Sequence, residues 1–240
     1  MLLLLPPRDQ EDFFMLELFA KEIVDPEWGN YFELTTWGYM ALIAIMLCVL
    51  LLAAFWTKSK RLSVKQLVFC AMAMALATVT SMVKIWPMPM GGSVTLLSML
   101  FISLIGYWYG LRTGLLTAIA YGILQLIIDP YVISLPQLFF DYIFAFGALG
   151  LSGFFASSKN GLYKGYAASI IGRFIFSFIS GMAFFGSSAA EYGMAVPVYS
   201  FCYNGAYIFT EAAITFVILA LPPVKSACAR IKTLAITEGN

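Results

Sequence analysis

The sequence predicts an all-α integral membrane protein, with a core of six transmembrane helices preceded by one extra N-terminal transmembrane helix. Of the 240 residues, 61% are hydrophobic and 11% are charged, whereas a soluble domain carries about 25% charged residues. The mean hydropathy of +0.87 indicates that most of the chain faces lipid. A helix needs roughly 17–25 apolar residues to span a bilayer. Seven candidate spans occur, at 34–56, 66–83, 93–110, 113–128, 135–156, 166–187 and 198–221.

The basic residues predict how these spans are oriented. Ten of the 14 Lys and Arg residues fall on one side of the spans. The positive-inside rule makes that side cytoplasmic, so the N-terminus is predicted outside and the C-terminus in the cytoplasm. The third and fourth spans are separated only by Leu111 and Arg112, which predicts a tight turn between two helices.

This topology divides the chain into four segments. Residues 1–33 form an acidic outer tail, in which 9–24 is either an amphipathic helix or a loosely ordered stretch. Residues 34–65 hold the extra anchor and a basic cytoplasmic linker. Residues 66–221 form the six-helix core, and 222–240 form a cytoplasmic tail.

The composition excludes several classes of function. A net charge of +1 gives no basic field for nucleic acid. The chain has no His, which removes His-ligated metals and His-based acid–base catalysis. The four cysteines are scattered without a CxxC motif, so we expect no metal, no cofactor and no catalytic residue.

Small residues recur at the spacing of helix contacts, where they let backbones approach closely in lipid. Packing within this chain is the simplest interpretation of most of these rows. The rows are Ala71 with Ala75, Ala73 with Ala77, Gly114 with Ala118 and Gly122, and Gly147 with Gly150 and Gly153.

Three ionisable residues lie inside predicted spans, where a charge is costly and usually serves a function or pairs with another group. Arg173 and Glu211 could form a structural ion pair, or Arg173 could extend towards the membrane surface.

Asp141 lies near the outer end of its span among aromatic residues. A carboxylate walled by rings suits a flat, cationic or nitrogen-rich heterocycle, because the rings add stacking and cation–π attraction. The same aromatics could instead form an interfacial belt.

The outer loop at 84–92, with the sequence KIWPMPMGG, cannot continue a helix because of its prolines and glycines. It carries Trp86 and three methionines, which favour an apolar face over solvent. This composition is typical either of a lid over a pocket or of a loop that rests on the membrane surface.

Four collinear runs between residues 66 and 221 resemble the thiamine-specific substrate-binding S component of energy-coupling-factor (ECF) transporters. The runs are GGSVTLLSMLFISLIGYWYGLRTGLLT (91–117), PQLFFDYIFAFGALGLSGFF (136–155), RFIFSFISGMAFFGS (173–187) and PVYSFCYNGAY (197–207). The resemblance implies a six-helix protein of the bacterial cell membrane that binds thiamine in an occluded outer pocket, closed by its first outer loop. It also implies docking, through small residues of the first core helix, onto a membrane T subunit and two ATP-binding A subunits.

Carried over residue by residue, the resemblance implies a pocket and a docking row. We expect Tyr199 to lie just before its helix begins. The expected substrate-binding residues are Asp141, Tyr142, Ser177, Phe185, Tyr199, Asn204 and Trp86, and the expected docking residues are Ala71 and Ala75.

The sequence departs from the family pattern at two pocket positions. Ser177 stands where the family usually has His, and Phe185 stands where it usually has Trp. Thiamine is therefore the first candidate, with a related precursor or another vitamin as the alternative.

A self-sufficient secondary transporter is a further alternative, although no internal repeat is visible. An intramembrane enzyme is disfavoured, since only Asp141 and Glu211 could act together and they lie at different predicted depths.

Overall fold

A computed structural model describes residues 18, 20–25, 29–38, 40–41, 44 and 62–237. Most of the predicted anchor at 34–56 lies outside these residues, as do most of the acidic tail at 1–33 and the basic linker up to residue 61.

The core is a bundle of helices, which confirms an all-α membrane protein. Of the helices in residues 62–237, five are long and apolar enough to cross a membrane, and α2 is a shorter apolar helix. In chain order the helices are α1 (Val64–Met82), α2 (Ser98–Tyr109), α3 (Leu111–Ile128), α4 (Leu135–Phe155), α5 (Gly161–Phe184), α6 (Gly186–Glu191), α7 (Val196–Ala220) and α8 (Pro222–Ile236).

The third predicted span, at 93–110, starts too early. Ser93–Thr95 is a strand, β4, which pairs antiparallel with β3 (Lys84–Pro87). The helix α2 begins only at Ser98 and ends at Tyr109, and the next residue, Gly110, has a φ of 86°. Hydropathy cannot distinguish a short buried strand from the start of an apolar helix. The tight turn predicted before α3 is confirmed, and it lies one residue earlier than predicted.

The predicted span at 135–156 is one continuous helix, but its hydrogen bonding is irregular. Phe139–Phe144 forms a π-helical segment and Ala148–Phe155 a 3₁₀-helical one. A π turn inserts an extra residue into a helix and occurs frequently at functional sites. Asp141 lies within this π segment.

Glycine contacts explain how α2, α3 and α4 pack. A Cβ on Gly114 would lie 2.6 Å from the Cα of Gly106, and a Cβ on Gly150 would lie 2.4 Å from the backbone N of Leu115. A Cβ on Gly122 would lie 1.9 Å from the carbonyl oxygen of Tyr142. These rows therefore serve packing inside the chain, as their spacing predicts.

The two ends of the bundle differ. The β3–β4 hairpin lies at one end, here called the loop end. At the other, the α8 end, the Lys65 ammonium donates to the Thr237 carbonyl at 2.7 Å and the Tyr109 hydroxyl donates to the Ala235 carbonyl at 3.1 Å. The helix α8 thus joins the start of α1 to the end of α2.

The N-terminal segment contains a hairpin that the sequence does not predict. Strand β1 (Ala20–Asp25) pairs antiparallel with β2 (Gly29–Leu34). The first strand occupies the C-terminal part of 9–24, so an amphipathic helix does not extend over that part. Strand β2 contacts α5 and α6.

Candidate functional site

A cavity of about 130 Å³ lies at the loop end of the bundle. Its wall combines the β3–β4 hairpin with parts of α1, α3, α4, α5 and α7. Six of the seven predicted substrate-binding residues line it, namely Asp141, Tyr142, Ser177, Phe185, Tyr199 and Asn204. The bundle therefore brings together residues that are up to 63 positions apart in the sequence.

Asp141 is half-buried in the cavity wall, where the side chain of Gln137 holds it. The Nε2 of Gln137 donates a hydrogen bond of 2.6 Å to its Oδ2. The same Nε2 donates to the carbonyl of Tyr131 at 3.1 Å, while the Oε1 of Gln137 accepts from the backbone N–H of Ile133 at 3.2 Å. Because both the nitrogen and the oxygen of its amide are hydrogen-bonded to the backbone, Gln137 is held in place, and it holds the Asp141 carboxyl group in turn.

Aromatic rings form much of the remaining wall. On α7, Tyr199 stacks on Tyr203 with centroids 5.7 Å apart and planes at 19°, and Tyr207 meets Tyr203 edge-on. These positions share a face because they are four residues apart. A second pair, Tyr131 and Phe185, has nearly parallel rings with centroids 6.2 Å apart. The cavity therefore offers ring faces to a planar ligand.

The position of Tyr199 differs from its sequence prediction. Helix α7 starts at Val196, so Tyr199 lies in its first turn and not before it. Tyr199 and Asn204 nevertheless both line the cavity.

Arg173 also lines the cavity, but it is not paired with Glu211. Within residues 62–237, the ion pair that the structure contains joins Lys84 to Asp129 at 2.5 Å. The guanidinium carbon of Arg173 lies 4.2 Å from the centroid of the Phe146 ring, and its Nε is buried without a hydrogen-bond partner. Of the two interpretations that the sequence left open for Arg173, the pair with Glu211 is wrong, because the partners of Glu211 come from across the bundle and no local pattern shows them.

Glu211 is instead saturated by the segment that leads into α2. Its Oε2 accepts from the backbone N–H and the hydroxyl of Thr95, at 3.2 and 2.6 Å. Its Oε1 accepts from the Ser98 hydroxyl and the Met99 N–H, both at 3.1 Å. A carboxylate at a helix N-terminus is electrostatically favourable. Glu211, which is 2% exposed, therefore acts as a cap that joins α7 to α2.

Two of the predicted binding residues already use their polar groups within the protein. The Tyr142 hydroxyl donates to the Asp129 carbonyl at 2.9 Å and accepts from the Tyr131 N–H at 2.7 Å. The Asn204 amide donates to the Ser177 and Ser200 carbonyls and accepts from the Tyr207 hydroxyl at 3.1 Å. In this structure both residues brace the cavity wall.

Trp86 does not line the cavity. It lies on β3 with 57% of its surface exposed. The loop glycines Gly91 and Gly92 line the cavity instead. The sequence left open whether this loop covers a pocket or rests on the membrane surface; its glycines in the cavity wall agree with the first interpretation, and the sequence did not show which loop residues face inwards.

The predicted docking row lies on the outside of the bundle. Ala71 and Ala75 are exposed on α1, whereas Ala73 and Ala77 are buried against the core. Neighbouring large apolar side chains of α1 are exposed as well, including Met72 and Leu76.

Sequence reasoning missed Gln137, Tyr131 and Tyr203. Gln137 had a recognisable signal, because a polar amide four residues before Asp141 shares its helix face. Tyr203 also had one, its spacing of four from Tyr199 and Tyr207. Tyr131 had none, because only the folded chain brings its ring against Phe185. No cluster of three or more His, Cys, Asp or Glu residues that could hold a metal occurs among the described residues.

Three comparisons with known proteins agree with this architecture. The family model described as "Thiamine transporter protein" matches residues 67–230. The thiamine transporter ThiT of Bacillus subtilis (strain 168) is 38% identical over 148 residues, covering 56% of this chain and 76% of the relative. A solved structure of ThiT from Listeria monocytogenes superposes with a TM-score of 0.56 at 20% identity, covering 66% of this chain and 94% of that one. At this identity the structural match shows the fold alone.

Proposed function

The chain belongs to the thiamine transporter family, and from that premise we propose that it is the substrate-binding subunit of an ECF-type ATP-driven importer that binds thiamine. Its apolar helices make it a multi-pass membrane protein. As a member of a family of transporters, it is not an enzyme.

The proposal depends chiefly on the half-buried carboxyl group of Asp141 in an aromatic cavity. Thiamine combines a permanently cationic thiazolium ring with an aminopyrimidine ring. The carboxylate offers a hydrogen-bond acceptor and a negative charge, and the Tyr and Phe faces offer stacking and cation–π attraction of about 0.5–2 kcal/mol for each favourable contact.

Among the acids of the cavity, Asp141 is the one left for this role, while the guanidinium of Arg173, which also lines the cavity, lies against the Phe146 ring. Lys84 and Asp129 neutralise each other in an ion pair. Glu211 already accepts four hydrogen bonds from the protein. A cationic ligand therefore gains most from a position beside Asp141.

Ser177 and Phe185 bear on which ligand fits. Ser177 is 4% exposed and lines the cavity with a small polar group. Phe185 retains a ring face, stacked on Tyr131, but has no indole N–H. Thiamine is the ligand that we propose for this wall, and a pyrimidine or thiazole precursor is the alternative ligand of the same site.

Binding is tested by titrating the purified full chain while its tryptophan fluorescence is recorded. The ligands are thiamine and its separate pyrimidine and thiazolium halves. We expect saturable binding of thiamine that is tighter than binding of either half. Tighter binding of one half would identify a precursor as the substrate, and no response to any of the three at micromolar concentration would remove this ligand class.

The proposed partners are a membrane T subunit and two ATP-binding A subunits, which Ala71 and Ala75 would contact. The exposure of this small-residue row on α1 supports the proposal, because small residues let a partner helix approach closely. Replacing Ala75 with Trp should prevent copurification of the partners, whereas Ala120, an exposed alanine on α3, provides the matched Ala→Trp control. Thiamine uptake by vesicles that contain this chain alone would show instead a self-sufficient transporter.

We further propose that the cavity opens to the outside of the cell and that the α8 end faces the cytoplasm. Basic residues at the α8 end support this orientation by the positive-inside rule. They include Lys65, Lys159, Lys164, Lys225 and Lys232. In this orientation residues 1–33 form the outer tail, 34–65 the anchor and linker, 66–221 the substrate-binding core and 222–240 the cytoplasmic tail.

A further inference from the structure

The β3–β4 hairpin forms one wall of the cavity, and its tip is a closed turn. Gly91, Gly92, Ser93 and Thr95 all line the cavity. The N–H of Met88 donates to the Gly92 carbonyl at 2.8 Å, which closes the turn. Any ligand that enters or leaves past this wall must displace the tip.

A single hydroxyl group on α7 holds both sides of that tip. The Tyr203 hydroxyl accepts a hydrogen bond of 3.0 Å from the Gly92 N–H and donates one to the Pro89 carbonyl. Tyr203 is half-buried and itself lines the cavity. Its ring therefore contacts the enclosed space while its hydroxyl group fixes the cover.

The missing side chain of Gly92 makes this contact possible. A Cβ at that position would lie 2.6 Å from the Tyr203 hydroxyl oxygen and 3.1 Å from Cδ1 of Tyr207. A larger residue would push the turn away from the two tyrosines.

Gly91 at the tip also lies close to the side chain of Tyr131, where a Cβ would be 3.2 Å from the Cβ of Tyr131. The other polar attachments that the structure describes act at the base of the hairpin. Lys84 pairs with Asp129 through side chains that are 39% and 54% exposed, so that pair is weakened by solvent and salt. Thr95, at the end of β4, is held by Glu211. Neither contact restrains the turn at residues 88–92.

We propose that the Tyr203 hydroxyl is the latch that holds the hairpin tip closed over the cavity and slows the escape of a bound ligand. Tyr203 is in this respect a positioning residue, which acts through the backbone of Pro89 and Gly92. The effect on ligand escape rests on the proposed thiamine-binding function, whereas the effect on the hairpin does not.

The test compares Tyr203→Phe and Gly92→Ala with the unmodified full chain. Tyr203→Phe removes both hydrogen bonds and keeps the ring stacked on Tyr199, while Gly92→Ala keeps the hydroxyl and blocks the close approach. Tyr163→Phe is the matched control, because its hydroxyl donates to the Leu219 carbonyl at 2.9 Å, away from the cavity. Two quantities are measured: amide hydrogen exchange of residues 84–95 without ligand, and the dissociation rate of thiamine.

We expect both latch variants to raise exchange of residues 84–95 and thiamine dissociation by at least about fivefold, given that a net hydrogen bond typically contributes ~1 kcal/mol. The control should change neither.

Unchanged exchange in both variants would overturn the latch. Faster exchange with an unchanged dissociation rate would show that the tip does not retain the ligand, which overturns its proposed role. If no form binds thiamine, the proposed function fails, and the exchange measurement alone still decides whether Tyr203 holds the hairpin.

Discussion

Two acidic regions lie within the same cavity, and they differ in how the protein treats the carboxylate. Around Glu211, four donors from Thr95, Ser98 and Met99 satisfy both oxygens. Around Asp141, the side chain of Gln137 donates to one oxygen while aromatic rings face the same space. An acid inside a membrane is thus not in itself a binding group. The number of donors that the fold supplies distinguishes an acid that stabilises the bundle from one that is prepared for a ligand.

Removing the structural acid gives the largest expected effect. Glu211→Ala leaves four donors without their acceptor, and breaking such a buried network costs about 3–5 kcal/mol. We expect a marked fall in the thermal unfolding temperature of the ligand-free protein. The exposed acid Glu191 is the control, because Glu191→Ala should leave the unfolding temperature nearly unchanged. If both variants were equally stable, the distinction between the two acids would fail.

Removing the ligand-binding acid should affect binding and leave folding almost unchanged. Asp141→Asn keeps the size of the side chain and removes its charge. We expect thiamine affinity to fall by at least about tenfold, or ~1.4 kcal/mol, with little change in the unfolding temperature. The measurement is the fluorescence titration, with Glu191→Gln as the control. An unchanged affinity would show that Asp141 is a structural acid like Glu211.

A smaller effect is expected from the residue that orients Asp141. Gln137→Met removes the donor to Oδ2 while keeping the length of the side chain. We expect affinity for thiamine to fall by roughly fivefold, or ~1 kcal/mol. Combined with Asp141→Asn, the second substitution should add almost nothing, because both act through one contact. Full additivity would mean that Gln137 affects binding by another route.

Much of the fold could be predicted from the sequence because long apolar runs have few alternatives in a bilayer. The spans at 66–83, 135–156 and 198–221 match α1, α4 and α7 within about two residues at each end. The start of α2 could not be predicted, since residues 93–97 are as compatible with a buried strand as with a helix. The π segment around Asp141 was also invisible, because hydropathy does not record which backbone groups are paired.

In the candidate site, too, features that depend on neighbouring residues could be predicted from the sequence, and contacts between distant residues could not. Asp141 stands out in the sequence as an acid in an apolar run, and the tyrosines of α7 stand out by their spacing of four. The partners of Glu211 and Tyr203 are more than 100 positions away, in the β3–β4 hairpin and at the start of α2, and no local pattern indicates them. The exposed position of Trp86 was not predictable either, because composition alone does not show which face of the hairpin points inwards.

The most direct test of the account is a structure of the full chain determined with thiamine bound. We predict that the ligand occupies the cavity at the loop end. A carboxylate oxygen of Asp141 should lie within hydrogen-bond distance of the aminopyrimidine of thiamine or directly beside its thiazolium ring. Glu211 should still be bound to Thr95 and Met99. A structure in which thiamine lies away from Asp141, or contacts Glu211 in its place, would contradict it.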